Sequence, residues 1–588
     1  MSYAMTRIDR GQLLPERELP RAAELLAEGR RLAGSLGVGS CPFLKHYGVR
    51  SESVYKQQRV AEGALMFHAQ VGYRSLARSR QAYAEIYDRL AAAGHRVDRY
   101  GICLDWSMGY PAAQRAGMPR GTGLILEQAE DFATLTSAAP VAPHFGDFVI
   151  GTPAALENTA AALAAGATTI GNLGQYFTFR MPRWHDDVFT TAETVKAMAL
   201  CAAQPVEVLI HSNLDDGFAS LFTDLACGIG TVLIERYIVE DLVGGCVTHC
   251  YGHTFEDPLT RLAFQRALAL ANPTAGSMVY GNTTSYGASA VANYANLASY
   301  MTVDIAAQRD RPTGHGLNPV PVTEAMRIPE IDEIVDAHLF ANRLAERTAG
   351  YGPLLDMKEA DRVAGLLLEG GRRFRDRVLA GMAEAGIDTG DAVELLLALR
   401  RLGARRLEEL FGPGQTAETQ PRGRAAVVRA TTVAALESRG MAIVNGLDPS
   451  DLKKLRQAGF VGCVASTDVH EYGKLLVEAA LRAAGVRVVD AGVSVDPDEV
   501  AEQVRVAHAD FVAISSYNGV ALPYLRTLRA ELAKEGVDLP VFIGGKLNQI
   551  PEAGRTGMPR DISDELREVG ACVCTRVEDM LRELINAL

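Results

Sequence analysis

The stretch FVGCVASTDVHEYGKLLVEAALRAAGVRVVDAGV (460–493) decides the fold of the C-terminal part of the chain. Its first eight residues form an apolar run that predicts a β-strand. KLLVEAALRAAG (474–485) then has apolar residues at helical spacing and ends in glycine, and VRVVDAGV predicts a second strand. A strand, a helix and a strand in close succession are typical of parallel βαβ units.

The same alternation continues to the end of the chain. PDEVAEQVRVAHA predicts a helix, DFVAISSYNG a strand, LPYLRTLRAELAKEG a helix and LPVFIGGKLN a strand, before a last helix from about residue 576. These elements predict a doubly wound, Rossmann-like domain over residues 458–588. Such domains bind their ligands beyond the carboxyl ends of the strands.

Directly after the first predicted strand stands Asp468-Val469-His470-Glu471-Tyr472-Gly473. This hexapeptide resembles the Asp-x-His-x-x-Gly pattern of cobalamin-binding domains. The resemblance implies that His470 is the lower axial ligand of cobalt, and that Asp468 hydrogen-bonds the other imidazole nitrogen and fixes its tautomer. An ordinary loop histidine at a helix start is the alternative interpretation of the hexapeptide alone.

Two further matches follow the third and fourth predicted strands, in SSYNG (515–519) and GGK (544–546). In cobalamin-binding domains, a serine-rich turn and a glycine pair at these places surround the dimethylbenzimidazole tail. Taken singly, a serine is also a common helix cap and a glycine pair a common tight turn. The resemblance implies these cofactor-binding residues: Asp468, His470, Glu471, Tyr472, Gly473, Ser515, Ser516, Tyr517, Gly519, Gly544 and Gly545.

The N-terminal part also alternates between strand and helix patterns. FGDFVIGTP (145–153) is followed by AALENTAAALAAGATTIGNL (154–173), and similar pairs recur from about residue 130 to 310. Because residues 51–345 suffice for eight βα units, we predict a (β/α)8 TIM-like barrel there. We expect an N-terminal arm (1–50), a helical extension (346–411) and a linker (412–457) beginning at the Gly- and Pro-rich FGPGQTAETQPRGR.

The barrel segment resembles the glutamate mutase group, with 2-methyleneglutarate mutase as a single-chain relative. Gly-Thr-Pro (151–153) leads into a helix, and TIGNLGQY (169–176) forms a glycine-rich, tyrosine-containing segment. The resemblance implies an adenosylcobalamin-dependent carbon-skeleton mutase, a radical isomerase that acts on a small carboxylate or dicarboxylate through the 5′-deoxyadenosyl radical.

Two departures from glutamate mutase bear on the substrate. Val149 and Ile150 stand where that enzyme has a carboxylate-binding arginine, and Asn172, Leu173 and Gln175 stand where it has a glutamate that meets the substrate amine. A substrate without an amino group therefore fits better than glutamate.

Arginines remain as candidate carboxylate clamps, because the planar guanidinium can bind both oxygens. The resemblance points especially to Arg115, and a surface arginine that solvates a loop is the alternative for each candidate. The candidate catalytic residues are Arg115, Arg120, Arg180, Tyr176 and Asn172, with Arg183 as a fourth possible clamp.

The segment CVTHCYGH (246–253) superficially suggests a metal site, but it matches no zinc spacing. We expect it to form a polar loop at a strand end, facing the active site. Asn282, Tyr286, His315 and Asn318 are candidate contacts to the adenosyl group or the substrate, and equally ordinary turn residues.

Composition narrows the class of partner. The 588 residues carry a formal net charge of -12, which offers no basic footprint for nucleic acid or an anionic membrane. Nine cysteines without a CxxC pair predict reduced thiols, and the charged N-terminus lacks the apolar run of a signal peptide. We therefore expect a cytoplasmic protein, a homo-oligomer (dimer or tetramer), with a small-molecule carboxylate substrate.

Other cobalamin chemistries stay open, because the same binding domain serves several functions. In a corrinoid-dependent methyltransferase, His470 would support methyl-cobalt and the barrel would bind a methyl donor. Such enzymes usually have a helical bundle before the cobalamin domain, so about 300 residues of βα alternation favour the mutase. A cobalamin-binding sensor lacks support from a basic DNA-binding segment, and an aminomutase would need a pyridoxal phosphate lysine, for which there is no convincing candidate.

Overall fold

The computed structural model describes residues 8–118, 120–121, 123–417, 420, 422–467, 472–517, 519–549 and 560–587. The chain divides into two compact units. The N-terminal unit comprises Met1–Met118, Gly123–Phe177 and Asp186–Thr431, and the C-terminal unit comprises Thr432–Leu588 with the segments Pro119–Thr122 and Thr178–His185. The division falls inside the stretch 412–457 that we expected to be a linker, and from Thr431 onward most of that stretch is helical.

The N-terminal unit contains eight parallel strands in its described part. One sheet has the order β3-β2-β1-β8-β7 and a second has the order β4-β5-β6. Two isolated parallel bridges, Phe145 with Ile170 and Tyr251 with Val279, connect the ends of the two sheets. The strands are β1 (Met66–Val71), β2 (Arg99–Ile102), β3 (Ala142–His144), β4 (Thr169–Gly171), β5 (Leu209–Asn213), β6 (Cys246–Cys250), β7 (Met278–Val279) and β8 (Gly316–Leu317).

Helices alternate with these strands and cover them, as a buried parallel sheet requires. Three long helices follow β8 and precede the division between the units. The helices are α1 (Arg10–Leu13), α2 (Ala22–Leu32), α3 (Pro42–Tyr47), α4 (Glu52–Ala61), α5 (Leu76–Ala92), α6 (Ala112–Arg115), α7 (Ala129–Thr136), α8 (Ala155–Ala164), α9 (Leu173–Thr178), α10 (Asp187–Ala202), α11 (Leu225–Arg236), α12 (Pro258–Ala271), α13 (Ala290–Asp310), α14 (Ile331–Thr348), α15 (Lys358–Glu384) and α16 (Ala392–Phe411).

Polar side chains of the strands pack against one another in the interior of this unit. Arg99 on β2 donates through Nε to Glu52 of α4 at 2.7 Å, and its Nη1 lies 3.2 Å from His68 Nδ1 on β1. The rings of His144 and His211 lie 4.4 Å apart between centroids. Burial lowers the pKa of these three histidines well below their usual range, so they are neutral at physiological pH.

The C-terminal unit is a five-stranded parallel sheet with helices on both faces, and its strand order is β10-β9-β11-β12-β15. The strand order reverses between β9 and β11, the place where open α/β sheets bind ligands. Its elements, counted from the end of the N-terminal unit, are α17 (Thr431–Asn445), α18 (Pro449–Ala458), β9 (Val461–Ser466), α19 (Tyr472–Ala483), β10 (Arg487–Gly492), α20 (Pro497–Ala507), β11 (Phe511–Ser516), α21 (Ala521–Lys534), β12 (Val541–Gly545), β13 (Asn548–Gln549), β14 (Arg560–Asp561), α22 (Ser563–Glu568), β15 (Cys572–Val573) and α23 (Val577–Asn586).

The predicted elements of this unit match the structure closely, and the Rossmann-like prediction is confirmed. The sequence reading missed β13, β14, β15 and α22, which have six residues or fewer each. Within the described residues, none of the helices combines the length and the apolar composition needed to span a lipid bilayer.

Candidate functional site

The carboxyl ends of β9 and β11 lie side by side at the point where the strand order of the C-terminal unit reverses. Thr467, just after β9, donates its backbone N–H to the Ser515 carbonyl at 2.9 Å. Its hydroxyl lies 2.9 Å from the Ser516 hydroxyl. These bonds fix the two strand ends and bring three hydroxyl side chains to the expected ligand-binding edge.

Gly473 keeps a space open in front of one of these hydroxyls. A Cβ atom at position 473 would lie 2.4 Å from Ser515 Oγ, so any other residue would cover that oxygen. Because a hydroxyl can both donate and accept, Ser515 can bond a polar group that enters this space. The arrangement fits the binding of the nucleotide tail of cobalamin that the sequence predicts.

Gly544 and Gly545 pack directly against the backbone of neighbouring segments, which leaves no room for a side chain. A Cβ atom at Gly544 would lie 2.4 Å from the Cys574 carbonyl oxygen, and one at Gly545 would lie 2.3 Å from that of Ser516. Gly545 also has a φ of 103°, which favours glycine. Contact of this pair with the tail of the cofactor stays a prediction.

The remaining predicted cofactor residues are only partly described. Tyr517 is 38% exposed, and Lys546 Nζ lies 5.0 Å from the centroid of its ring. Gly519 has a left-handed φ of 73°, and Tyr472 is the first residue of α19. Asp468, His470 and Glu471 lie outside the described residues, so the identity of the lower ligand stays a prediction.

In the N-terminal unit, polar side chains stand at or just beyond the carboxyl ends of all eight described strands. We call this set the strand-end ring. One member comes from each of β1 to β8 in turn: Gln70, Cys103, Asp147, Asn172, Asp216, His253, Tyr280 and Asn318.

Asn172, a predicted site residue, joins two carboxyl groups of the ring. Its Oδ1 accepts hydrogen bonds from the backbone N–H groups of Gly174 at 2.9 Å and Asn213 at 2.8 Å. The amide nitrogen is thereby turned toward Asp216, to which it donates at 2.8 Å. A hydrogen bond from Asn172 also lowers the pKa of Asp147, so one amide serves both acids.

Asp147 and Asp216 form an acid pair at the ends of β3 and β5. Burial and the nearby Asp216 raise the pKa of Asp147 to about 7, against the smaller opposing effect of Asn172. Two adjacent carboxyl groups in a desolvated site cannot both ionise easily. The pair therefore retains one proton near neutral pH, and Asp147 can act as a hydrogen-bond donor there.

Two other members of the ring stay protonated at neutral pH. Burial, and to a lesser degree Asp147, raises the pKa of the Cys103 thiol to about 12. Burial, Cys103 and Glu324 raise the pKa of Tyr280 well above its usual value. Gln70 lies beside them and donates to the Cys103 sulfur at 3.0 Å.

The predicted arginine clamps are divided between the two units, and Arg115 belongs to the N-terminal one. Arg115 is buried and donates to the backbone carbonyls of Leu126 at 3.0 Å and Tyr110 at 3.3 Å. Arg120, Arg180 and Arg183 belong to the two short segments of the C-terminal unit. Within that unit, the Arg183 N–H donates to Asp496 Oδ2 at 3.0 Å. A carboxylate-binding role of these arginines stays a prediction.

Tyr176 contacts helices of the N-terminal unit. Its hydroxyl lies 2.8 Å from Thr191 Oγ1 of α10, and the Arg400 guanidinium of α16 lies 5.0 Å above its ring. Arg400 also donates to the Tyr176 carbonyl. These contacts give the buried tyrosine a packing role, and its catalytic role stays a prediction.

The expectation that CVTHCYGH forms a strand-end loop is wrong for its first five residues, which form β6. His249 lies within the strand, with Nε2 2.9 Å from Glu235 Oε2 and Nδ1 3.0 Å from Asn272 Nδ2. The alternating pattern was hidden because polar residues occupy buried strand positions. His253 follows the strand, and its Nδ1 lies 2.7 Å from Thr283 Oγ1.

The other four candidate contacts are divided between the two ends of the strands. His315 precedes β8, and its Nδ1 lies 2.7 Å from Thr313 Oγ1. Asn282 and Asn318 follow β7 and β8, and both are buried. Tyr286 donates its hydroxyl to the Val320 carbonyl at 3.1 Å.

Sequence reasoning missed Asp147 and Asp216. Each acid follows an apolar strand pattern closely, in FGDF (145–148) and in LIHSNLDDG (209–217). Their place just after a predicted strand was the signal that could have identified these two acids, because the carboxyl ends of parallel strands meet at one edge of the sheet.

Comparison with known proteins bears on the C-terminal unit. Residues 459–583 match the family described as "B12 binding domain". The chain is 34% identical over 84 residues to glutamate mutase sigma subunit 1 of Haloarcula marismortui, covering 14% of this chain and 56% of that subunit. It is 26% identical over 175 residues to dimethylamine corrinoid protein 1 of Methanosarcina acetivorans, covering 29% of this chain and 76% of that protein.

A solved structure, a novel cobalamin-binding protein from Desulfitobacterium hafniense, is 20% identical and matches 27% of this chain and 82% of its own. The TM-score of this match is 0.19. The description of the family and the name of the second relative both refer to a corrinoid cofactor. The C-terminal unit is a B12-binding domain, and the chain is a cobalamin protein.

Proposed function

We propose that the chain is an adenosylcobalamin-dependent radical isomerase, a carbon-skeleton mutase that acts on a small carboxylate or dicarboxylate. One observation carries the proposal. A B12-binding domain and a unit of parallel strands that all end in polar side chains occur in the same chain. The first supplies a cobalamin site, and the second supplies a polar site suited to a small molecule.

We further propose that the N-terminal unit is a closed (β/α)8 barrel. The two parallel sheets and the two bridges between them support this, because together they link β1 to β8 in a ring. Enzymes with such barrels have their active sites at the carboxyl ends of the strands. The strand-end ring is therefore the proposed substrate site.

The proposed role of the cofactor defines what the protein must do. When bound, adenosylcobalamin supplies a 5′-deoxyadenosyl radical that can remove a hydrogen atom from a substrate. The residues of the C-terminal unit would hold the cofactor, with Ser515 at its tail and His470 as the proposed lower ligand. The residues of the strand-end ring would bind and orient the substrate and exclude water from it.

Hydrogen-bond donors of the ring favour an oxygen-rich substrate. Protonated Asp147, the Cys103 thiol and the Tyr280 hydroxyl are neutral donors at neutral pH. A substrate carboxylate would hydrogen-bond to these donors, with Asp147 in its protonated form. Ionised Asp147 would repel the same carboxylate, so the protonated acid is part of the proposed site.

The test is an isomerisation assay with the purified full-length protein and adenosylcobalamin. Branched dicarboxylates and their acyl and methylene relatives would be screened by nuclear magnetic resonance for rearrangement of the carbon skeleton. We expect one of them to isomerise and to give a paramagnetic signal when it is added. Methyl transfer without isomerisation of any of these compounds would refute the mutase proposal.

A corrinoid-dependent methyltransferase is the second candidate. The similarity to the dimethylamine corrinoid protein supports it, because that match spans 175 residues and 76% of the relative. The helices α17 and α18 directly before β9 add to this support, since a helical segment precedes the cobalamin domain in such enzymes. Transfer of a labelled methyl group between methylcobalamin bound to the protein and an added acceptor would favour this function.

A further inference from the structure

A chain of hydrogen bonds runs through the interior of the N-terminal unit and ends at the strand-end ring. Arg99 Nε donates to Glu52 Oε1 at 2.7 Å, and Arg99 Nη1 lies 3.2 Å from His68 Nδ1. His68 Nε2 lies 2.9 Å from Gln70 Oε1, and Gln70 Nε2 donates to Cys103 Sγ at 3.0 Å. The first three residues are buried. The last two, which belong to the ring, are half-buried.

Arg99 sets the direction of this chain. A guanidinium can only donate hydrogen bonds, so His68 Nδ1 must accept the bond from Arg99. Burial and the charge of Arg99 lower the pKa of His68 well below its usual value, so the imidazole is neutral and carries its one proton on Nε2. Nε2 then donates to Gln70, whose accepting atom is the amide oxygen. In the opposite orientation of that amide, two N–H groups would face each other.

Gly101 leaves the space that this arrangement needs. It lies opposite Gln70 in the pairing of β1 with β2. A Cβ atom at position 101 would lie 2.7 Å from His68 Nε2 and would overlap Gln70 Oε1. A glycine inside a strand costs conformational entropy, and it often marks a place that another group approaches closely. Here the approaching group is the hydrogen bond between His68 and Gln70.

The fixed amide leaves its nitrogen on the side of the strand-end ring. The oxygen of Gln70 is bonded to His68, and the nitrogen has two hydrogens, of which Cys103 accepts one. Burial, then Asp147, raises the pKa of Cys103, and burial, then Cys103, raises the pKa of Tyr280, so these groups are close enough to interact. The second N–H of Gln70 therefore adds a donor to a part of the ring that already has neutral donors.

We propose that Gln70 is a specificity-determining residue of the substrate site: His68, held by Arg99, fixes the amide so that its nitrogen and not its oxygen meets the substrate. The site then selects a substrate atom that accepts hydrogen bonds, as a carboxylate oxygen does. The inference rests on the proposal that the strand-end ring binds a small carboxylate. A glutamine free to rotate could offer either its N–H or its carbonyl group, and it would discriminate less between the two kinds of ligand atom.

The test measures the binding of two probes, methylsuccinate and its diamide, to the full-length protein by calorimetric titration at pH 7. Methylsuccinate offers only acceptors at that pH, whereas the diamide also offers N–H donors. Gln70→Met removes the amide, and Gln70→Glu keeps its shape but replaces the nitrogen with oxygen. Gln308→Met is the matched control, because Gln308 is a buried glutamine of α13 that is bonded to Thr313, before β8.

We expect Gln70→Met and Gln70→Glu to bind methylsuccinate about 10- to 100-fold more weakly, the loss that removal of a hydrogen bond to a charged group implies. Gln308→Met should bind it like the wild type. A folded Gln70 variant with the wild-type Kd for methylsuccinate refutes the role of Gln70. Equal weakening by Gln308→Met refutes it too.

Variants of His68 test the buried part of the chain. Glutamine at position 68 can accept from Arg99 and donate to Gln70, whereas leucine can do neither. We expect His68→Leu to reduce the preference for methylsuccinate over the diamide by about 10-fold, and His68→Gln to retain it. A merely structural role would weaken the binding of both probes equally. An unchanged preference in His68→Leu, or a lost one in His68→Gln, therefore refutes positioning by His68.

Gly101→Ala tests the same point without changing a polar group, and it serves if His68→Leu does not fold. Its Cβ would displace the Gln70 oxygen, so the preference for methylsuccinate should fall as in His68→Leu. An unchanged preference in this variant would contradict the fixed amide. If the wild type binds methylsuccinate and the Gln70 variants bind it equally well, only this inference is wrong. Binding of neither probe overturns the inference, and the isomerisation assay then decides whether the mutase proposal survives without it.

Discussion

Replacing Asp147 with asparagine should stabilise the N-terminal unit at neutral and alkaline pH. The pKa of this carboxyl is raised from an ordinary 3.8 to about 7, first by burial and then by Asp216. A group whose pKa is raised on folding binds its proton more tightly in the folded state. The free energy of unfolding therefore falls as pH rises from about 4 to about 7 and changes no further above that.

The size of the effect follows from the shift. Each pKa unit is worth about 1.4 kcal/mol, so ionised Asp147 costs the folded protein at most about 4 kcal/mol. Asparagine has nearly the same shape and no charge. The variant should therefore gain little at pH 4 and up to that amount at pH 8, and local relaxation of the site would reduce the gain.

The assay is denaturant unfolding of the wild type and Asp147→Asn at several pH values from 4 to 8, followed by a signal from the N-terminal unit. Asp216→Asn is the matched variant, because removing either acid removes the same repulsion. The double variant should gain less than the two single gains together. A stability difference that does not change with pH, or a less stable variant at pH 8, would refute the coupling of the acid pair.

Three other outcomes follow from the same geometry. If the mutase proposal holds, kcat/KM should fall as pH rises through about 7, because Asp147 loses its proton there. Asp147→Asn should remove that fall, because the amide stays a donor at every pH. A pH profile of kcat/KM for both proteins checks this. His470→Ala should abolish ligation of cobalt by a protein imidazole, which the absorption spectrum of bound hydroxocobalamin detects. Gly473→Ala should weaken cobalamin binding with little change in Tm, because its Cβ would lie 2.4 Å from Ser515 Oγ; unchanged binding in a titration would contradict the proposed space before that hydroxyl.

The sequence predicted the C-terminal unit well for a physical reason. Its strands are short apolar runs, its helices have a clear apolar face, and glycines mark the helix ends. Each of these signals lies within about fifteen residues. The short strand β15 carries no such signal, because Cys572 and Val573 become a strand only by pairing with β12.

The interior of the N-terminal unit was beyond prediction from local patterns. His68, Arg99 and Glu52 contact one another only because two neighbouring strands and α4 bring them together. A single sequence gives no register between strands that lie thirty residues apart. The same limit explains why β6 was predicted as a loop. The sequence around His249 does not show that this residue is buried beside Glu235 and Asn272.

The candidate site was predicted in part. Asn172 was named from a resemblance, and the structure gives it the role of an amide shared by two acids. Arg115 was named as a clamp, but its guanidinium donates to backbone carbonyls of its own loop. An arginine's partners depend on the folding of the surrounding loop, which composition and spacing do not specify.

The acid pair and the buried cations of the N-terminal unit differ in a way that bears on function. Lys56 and Arg99 are buried, but each has a carboxylate oxygen of Glu52 nearby, at 3.5 Å from the first and 2.7 Å from the second. Asp147 instead faces another acid, and no basic side chain is among the groups that shift its pKa. A protein selected for stability alone would exchange one of these acids for an amide, because that change removes the repulsion and keeps the hydrogen bonds. The acid pair therefore supports the proposed substrate site at the strand-end ring. The proton that the pair retains would give that site a carboxylic acid donor, whereas an asparagine would offer an amide donor.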